Sequence, residues 1–178
     1  MPFGNLPYII DGNVKLSETM AIMGYIANKW KPEVIGRTPQ AKAECYRMQC
    51  ICADKFFAFM KLAFAQPNLQ PIIDACMKNA EEIVAYLGNK KFLIGDEVCV
   101  ADFVFFEHVN YMIHLNSTKA AKTPEKVWAR YPTLEGYHSR MANLPGLKEF
   151  IAREADTEIQ KKFIPNVPGV KCNYNTIE

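Results

Sequence analysis

Asn5-Leu6-Pro7-Tyr8-Ile9-Ile10-Asp11-Gly12-Asn13-Val14-Lys15-Leu16-Ser17-Glu18-Thr19 is the stretch on which the fold turns. Tyr8-Ile9-Ile10 is a short apolar run, Asp11-Gly12-Asn13 reads as a tight turn, and Val14-Lys15-Leu16 alternates apolar with polar. Two such runs joined by a turn containing Asp-Gly predict a β-hairpin. Pro7 stands just ahead of the first strand, where its missing N–H removes no ladder bond. Ser17 offers a side-chain oxygen to the unpaired N–H groups of a helix start. Met23, Ile26 and Trp30 then fall at helical spacing, with Ile22 and Tyr25 beside them. Pro32 and Gly36 end that helix and open a linker, Lys31 to Thr38.

Beyond the linker the pattern is helical throughout. Thr38-Pro39 supplies a cap followed by proline at the first helical position. No proline or glycine interrupts residues 40–64, so one long helix is predicted there. Pro67, Asn68 and Pro71 punctuate the chain before a second helix, which stops at Gly88-Asn89. Phe92 to Asp96 reads as a loop with a buried apolar anchor. Helices follow from about Val100 to His114, from Tyr131-Pro132 to near Asn143, and from Leu144-Pro145-Gly146 to Arg153. Asn116 to Thr123 is a polar stretch, the least ordered of the interior, and an irregular tail runs from Pro165. The expected fold is therefore α+β but mostly α. A β-hairpin plus helix spans residues 1–31, an all-helical domain spans 38–165, and an extended tail spans 166–178.

With 178 residues, 49% of them hydrophobic and 22% charged, the chain can bury a full core. That length suits one domain, or a small domain fused to a larger one. A formal net charge of +2, spread without runs, argues against a nucleic-acid surface. The longest apolar runs fall far short of a membrane span, which needs about 20 residues. Met1 to Asn5 has neither the basic nor the apolar region of a secretion signal, so a cytoplasmic protein is expected. Cys45, Cys50, Cys52, Cys76, Cys99 and Cys172 form no CxxC pair and lie at no metal-ligand spacing with His108, His114 or His138. Free, buried thiols and no metal site are the expectation.

Four stretches carry a resemblance to a known family: Asn5-Leu6-Pro7-Tyr8, Glu18-Thr19, Gly95-Asp96 through Ala101-Asp102, and Leu144-Pro145-Gly146-Leu147-Lys148-Glu149. Their order and separation resemble the cytosolic glutathione S-transferases, of mu-like or sigma-like class, over nearly the whole chain from Phe3 to about Pro165. The resemblance implies a partial thioredoxin-like glutathione-binding domain followed by the family's all-helical C-terminal domain. It implies a cis bond before Pro7, with the main chain of Leu6 facing the cysteinyl part of glutathione like an added strand, next to Asn5. Glu18 would face the γ-glutamyl ammonium and Thr19 would bond its carboxylate, at a helix N-terminus whose partial charge suits an anion. Read from residue types alone, the same pair is a helix cap with an acidic first turn.

The resemblance also places Asp54 where mu-class enzymes reach across a dimer interface to the partner's glutathione. Phe64 stands where such enzymes often have a tyrosine lining the electrophile pocket, and a phenylalanine there lacks the hydroxyl that could bond a developing alkoxide. Asp102 is expected to support folding as half of a capping box, because Cys99 replaces the usual Ser or Thr. Phe103, Phe105, Phe106 and Tyr111 read as core.

Family members carry a strand-helix-strand unit ahead of the Asn-Leu-Pro segment, and such a unit takes about 30 residues. Only Met1 to Gly4 precede Asn5 here. That unit normally holds the tyrosine, serine or cysteine that stabilises the glutathione thiolate, so no catalytic residue is assigned. Three functions stay open: a glutathione transferase, a non-catalytic structural or docking subunit, and a protein binding glutathione or a hydrophobic ligand. A homodimer, or other chains covering the incomplete sheet, is the expected partner.

Overall fold

A computed structural model describes residue 4 and residues 6–65, 68–117 and 127–154. Asn5, the tail from residue 155 and most of the polar stretch expected at Asn116 to Thr123 lie outside them. Strands β1 (Tyr8–Asp11) and β2 (Val14–Ser17) pair antiparallel, with Tyr8 opposite Ser17 and Asp11 opposite Val14. Gly12 takes φ 59° at the turn, a backbone that costs glycine nothing. Among the described residues the sheet has these two strands and no others.

Helix α1 (Thr19–Trp30) follows directly. Ser17 is the last residue of β2, not the cap predicted from the sequence. The cap position belongs to Glu18, which makes no side-chain cap bond. The linker is not plain coil, since Pro32–Ile35 forms a 3₁₀ turn. Gly36 after it has φ 104°, and a Cβ there would meet the Ala41 carbonyl carbon at 2.6 Å. That close approach lets the chain turn into α2 (Pro39–Ala65), which Thr38 caps by accepting the Ala41 N–H at 3.1 Å.

Helices α3 (Leu69–Leu87) and α4 (Val100–Ser117) pack with α2 as the core of the helical part. Pro71 sits in the first turn of α3, where no intrahelical N–H is required. Gly88 ends α3 at φ 50°, donating to Val84 O at 3.0 Å. Short α5 (Val127–Arg130), α6 (Pro132–Ala142) and α7 (Leu147–Glu154) complete the described chain. Met48, Phe59, Ile72, Ile83, Phe105, Met112, Leu115, Leu134 and Met141 are fully buried in one cluster.

Asp102 and His108 are the most deeply buried polar side chains of this core among the described residues. Asp102 has no exposed surface: Oδ1 accepts from Leu93 N at 2.9 Å and Tyr137 Oη at 3.1 Å, and Oδ2 from Cys99 N at 2.8 Å. Burial raises its carboxyl pKa despite those bonds. His108 is ringed by Phe56, Phe59 and Phe105, and one ring nitrogen lies 2.8 Å from Cys76 O. Its Nδ1 is buried without a hydrogen-bond partner. Burial depresses its pKa to about 4, so the ring is neutral at pH 7.

The expectation of buried thiols needs one correction. Cys45, Cys52, Cys76 and Cys99 are buried, but Cys50 is exposed, because it lies on the outer face of α2. Of the two tryptophans, Trp30 is exposed at the end of α1 and Trp128 lies 5.5 Å from the His138 ring in the helical part. No helix among the described residues is long and apolar enough to cross a membrane.

Candidate functional site

The hairpin packs on α1, which in turn lies against α4 and meets α2 at Gln49, and a cleft of about 190 Å³ opens along that seam. Thr19, Met20 and Met23 form one wall, Phe56 and Phe57 a second, and Phe103, Val104 and Glu107 a third. Gln49, buried on α2, donates to Met20 O at 3.3 Å and so holds the start of α1 against the helical part. The lining is apolar except for the Thr19 hydroxyl and the Glu107 carboxylate. Such a surface accepts an apolar group while a few polar atoms orient the rest of the ligand.

The residues assigned from sequence fall into two groups. Leu6, Pro7, Glu18 and Thr19 come together where β1 begins and α1 starts. The Leu6–Pro7 bond is cis, and Leu6 is 77% exposed. Glu18 has φ 73° and ψ 116°, a backbone that costs a non-glycine residue about 1–3 kcal/mol. Its carbonyl still accepts the Ile22 N–H at 2.9 Å, so helix α1 begins at Thr19 without a side-chain cap bond. The first N–H groups of any α-helix have no acceptor within the helix, and at α1 this start adjoins the cleft wall that Thr19 helps to build.

Asp54 and Phe64 lie elsewhere. Tyr46, Cys50, Asp54 and Phe57 recur every three or four residues along α2, Phe64 follows seven residues on, and all are exposed on one stripe. Phe57 belongs to both the stripe and the cleft, whereas Phe64 lies two turns further along and is not among the cleft-lining residues. Phe103 corrects a sequence expectation: it is half-buried and lines the cleft, while Phe105, Phe106 and Tyr111 are core. Sequence reasoning also passed over Met20, Met23, Phe56, Phe57, Val104 and Glu107. The adjacent Phe56-Phe57 pair was the available signal, since two large rings side by side cannot share one buried helix face. Among the described residues no cluster of His, Cys, Asp or Glu could hold a metal ion.

A hairpin entered through a cis-proline, a helix that joins it to a helical bundle, and an apolar cleft at that seam match known proteins on both sides of it. The family model of the glutathione S-transferase C-terminal domain matches residues 60–154, more than half the chain, and that of the N-terminal domain matches residues 1–28. The chain belongs to the glutathione S-transferase family. A glutathione S-transferase of Tyrophagus putrescentiae is 28% identical over 177 residues, spanning 97% of this chain and 73% of that protein. A glutathione S-transferase class-mu 26 kDa isozyme of Fasciola hepatica is 29% identical over 154 residues, spanning 84% of this chain and 66% of its own length. The chain thus covers about two thirds to three quarters of these relatives. In fold it is similar to a pi-class glutathione S-transferase of Onchocerca volvulus, with TM-score 0.71 and 19% identity over 87% of this chain and 73% of that one. The glutathione S-transferase Blo t 8 gives TM-score 0.68 at 23% identity, over 85% and 70% of the two chains.

Proposed function

We propose that this chain binds glutathione across Leu6, Pro7, Glu18 and Thr19 and holds an apolar group in the adjoining cleft. One observation carries the reading: Thr19 is both the first residue of α1 and part of the cleft wall. A carboxylate bonded by the Thr19 hydroxyl and the first N–H groups of α1 sits at the positive end of that helix. The exposed main chain of Leu6 then pairs with the cysteinyl unit as an added strand. That arrangement directs the thiol toward Met20, Phe57 and Phe103. Glu18 faces the ligand's ammonium.

The reaction of this site is conjugation of the glutathione sulfur to an electrophile. It needs a donor that holds the thiolate. Among the described residues lining the cleft, Thr19 has the only hydroxyl, and the carboxylate of Glu107 disfavours a nearby thiolate. We therefore expect this chain alone to bind glutathione and to conjugate it slowly. Isothermal titration with glutathione and S-hexylglutathione, beside a chlorodinitrobenzene assay, tests this. Thr19→Ala should weaken both ligands about tenfold, the loss of one charge-assisted hydrogen bond. Binding unaffected by Thr19→Ala would refute the site. A fast conjugation rate that depends on Thr19 would refute the slow chemistry alone.

The stripe on α2 supports a homodimer as the working state. Asp54 lies within it, between Cys50 and Phe57, and in a dimer packed through this face its carboxylate would reach the partner's glutathione. Phe64 would add apolar surface there or at the outer edge of the electrophile pocket. A docking role without catalysis remains the alternative. It would be supported by failure to retain the chain on immobilised glutathione together with stable co-purification with other subunits.

A further inference from the structure

The cleft at the seam carries charge of one sign. Among the described residues that line it, Glu107 on α4 is the only charged one, and no lysine, arginine or histidine joins it. The other walls bring Phe56 and Phe57 from α2, and Phe103 lies one turn back from Glu107 on α4. Phe56 and Phe57 meet edge to face, with ring centroids 5.7 Å apart and planes at 80°. The face of an aromatic ring is its negative side, so rings and a carboxylate in one cleft favour a guest of the same charge.

The Glu107 side chain is also held from behind. Asn110, one turn on along α4, donates its side-chain amide to Glu107 Oε2 at 3.3 Å. The Asn110 amide oxygen lies 2.8 Å from His138 Nε2 on α6. A carboxylate only accepts, so the amide turns its N–H to Glu107 and its oxygen to His138, and His138 donates from a protonated Nε2. The imidazole is stacked on Phe106, 4.9 Å between centroids at 29°, with the Trp128 ring 5.5 Å away. Asn110 and His138 are therefore positioning residues, which order the carboxylate before a ligand arrives and reduce the ordering cost of binding.

We propose that the cleft selects an apolar ligand bearing a cationic amine, a quaternary or protonated ammonium on an aryl or short alkyl body, with Glu107 and the three phenylalanine rings receiving the cation. The proposal rests on the cleft being the apolar half of the glutathione site and adds the charge of the guest. The start of α1 beside Thr19 draws the glutathione carboxylate, while Glu107 on a different wall draws a cation, so the two guests are sorted by charge. Single contacts of a cation with a ring or a carboxylate are modest at a partly open site, so the expected preference is about tenfold.

Phenyltrimethylammonium and tert-butylbenzene share one shape and differ by one positive charge. Each is titrated into the full-length chain by ligand-observed NMR, with glutathione and S-hexylglutathione titrated by calorimetry beside them. Phenyltrimethylammonium should bind about tenfold tighter than the hydrocarbon. Glu107→Gln keeps the shape and can still accept from Asn110. It should remove most of that preference and leave tert-butylbenzene and S-hexylglutathione within about twofold of wild type. Asn110→Ala should narrow the ratio of the two probes, a readout that a general loss of packing would not move. Equal affinity of wild type for the two probes, or a preference that survives Glu107→Gln, overturns the proposal. An unchanged ratio in Asn110→Ala overturns the positioning role. Binding of neither probe overturns the proposal as well, and S-hexylglutathione then separates the causes. If it binds tighter than glutathione, the cleft stays the apolar site; if it binds no tighter, that site falls too.

Discussion

Replacing Asp102 by alanine tests how much the helical part depends on one buried carboxylate. The substitution leaves Leu93 N and Cys99 N without the acceptors they now have at 2.9 and 2.8 Å. Tyr137 Oη keeps a second acceptor, the Asp102 carbonyl at 3.1 Å, and loses less. An unsatisfied buried donor costs about 1–3 kcal/mol, so two of them cost about 2–6. Removing a buried carboxylate returns part of that, since burial already opposes its charge. The expected net loss is about 3 kcal/mol, or about 8 °C in Tm for a chain of this size. Urea unfolding followed by circular dichroism gives the free energy, and calorimetry gives Tm. Asp102→Asn should fall between wild type and alanine, because its oxygen can still accept one N–H while its amide meets another donor. A loss under about 1 kcal/mol for Asp102→Ala would show that the Phe92–Gly95 loop and the α4 start hold without this carboxylate, and the account of the core would fail.

Three further outcomes follow from the same geometry. His108 is neutral in the fold with a pKa near 4, against an ordinary 6.5, so the unfolded chain binds a proton that the fold refuses. Its share of stability is complete above pH 6.5 and is lost as pH falls toward 4. Between pH 7 and pH 5 that share is about 2 kcal/mol, read as the difference in pH-dependent urea unfolding between wild type and His108→Gln. Gly36→Ala meets both a positive φ and main-chain atoms at 2.6 and 2.7 Å. It should cost more than about 2 kcal/mol, and an unchanged Tm would contradict the close approach. Met23→Trp fills the apolar cleft, so binding of S-hexylglutathione should weaken about tenfold while glutathione itself is little affected. Equal effects on both ligands would mean that the hexyl chain lies elsewhere.

Much of the fold is legible because turn chemistry is local. Asp11-Gly12-Asn13 marks the hairpin, Thr38-Pro39 the start of α2 and Gly88 the end of α3. Each of these acts through its own backbone and the next few residues. Ser17 misleads because the chain spends one more residue in strand pairing. It then turns through a strained Glu18, a step that no propensity scale favours. The 3₁₀ turn at Pro32–Ile35 and the four-residue α5 are too short to show a period. The family resemblance brought Glu18 and Thr19 forward, but the cleft beside them was hidden. Helix α4 is apolar nearly all round, so its sequence does not reveal that Phe103 and Val104 face a cleft while Phe105 faces the core.

The two indoles divide the molecule between them. Trp30 closes α1 at the surface, 6.3 Å from the Tyr25 ring and under the Lys29 ammonium. Trp128 is packed against His138. Their emission is therefore a built-in two-channel readout, with a water-exposed red component from the small N-terminal part and a shielded bluer one from the helical part. Single-tryptophan variants, Trp30→Phe and Trp128→Phe, turn that into separate unfolding curves for the two parts. Curves that coincide mark one cooperative unit, and curves that separate mark the seam at the cleft as the place where the molecule comes apart first.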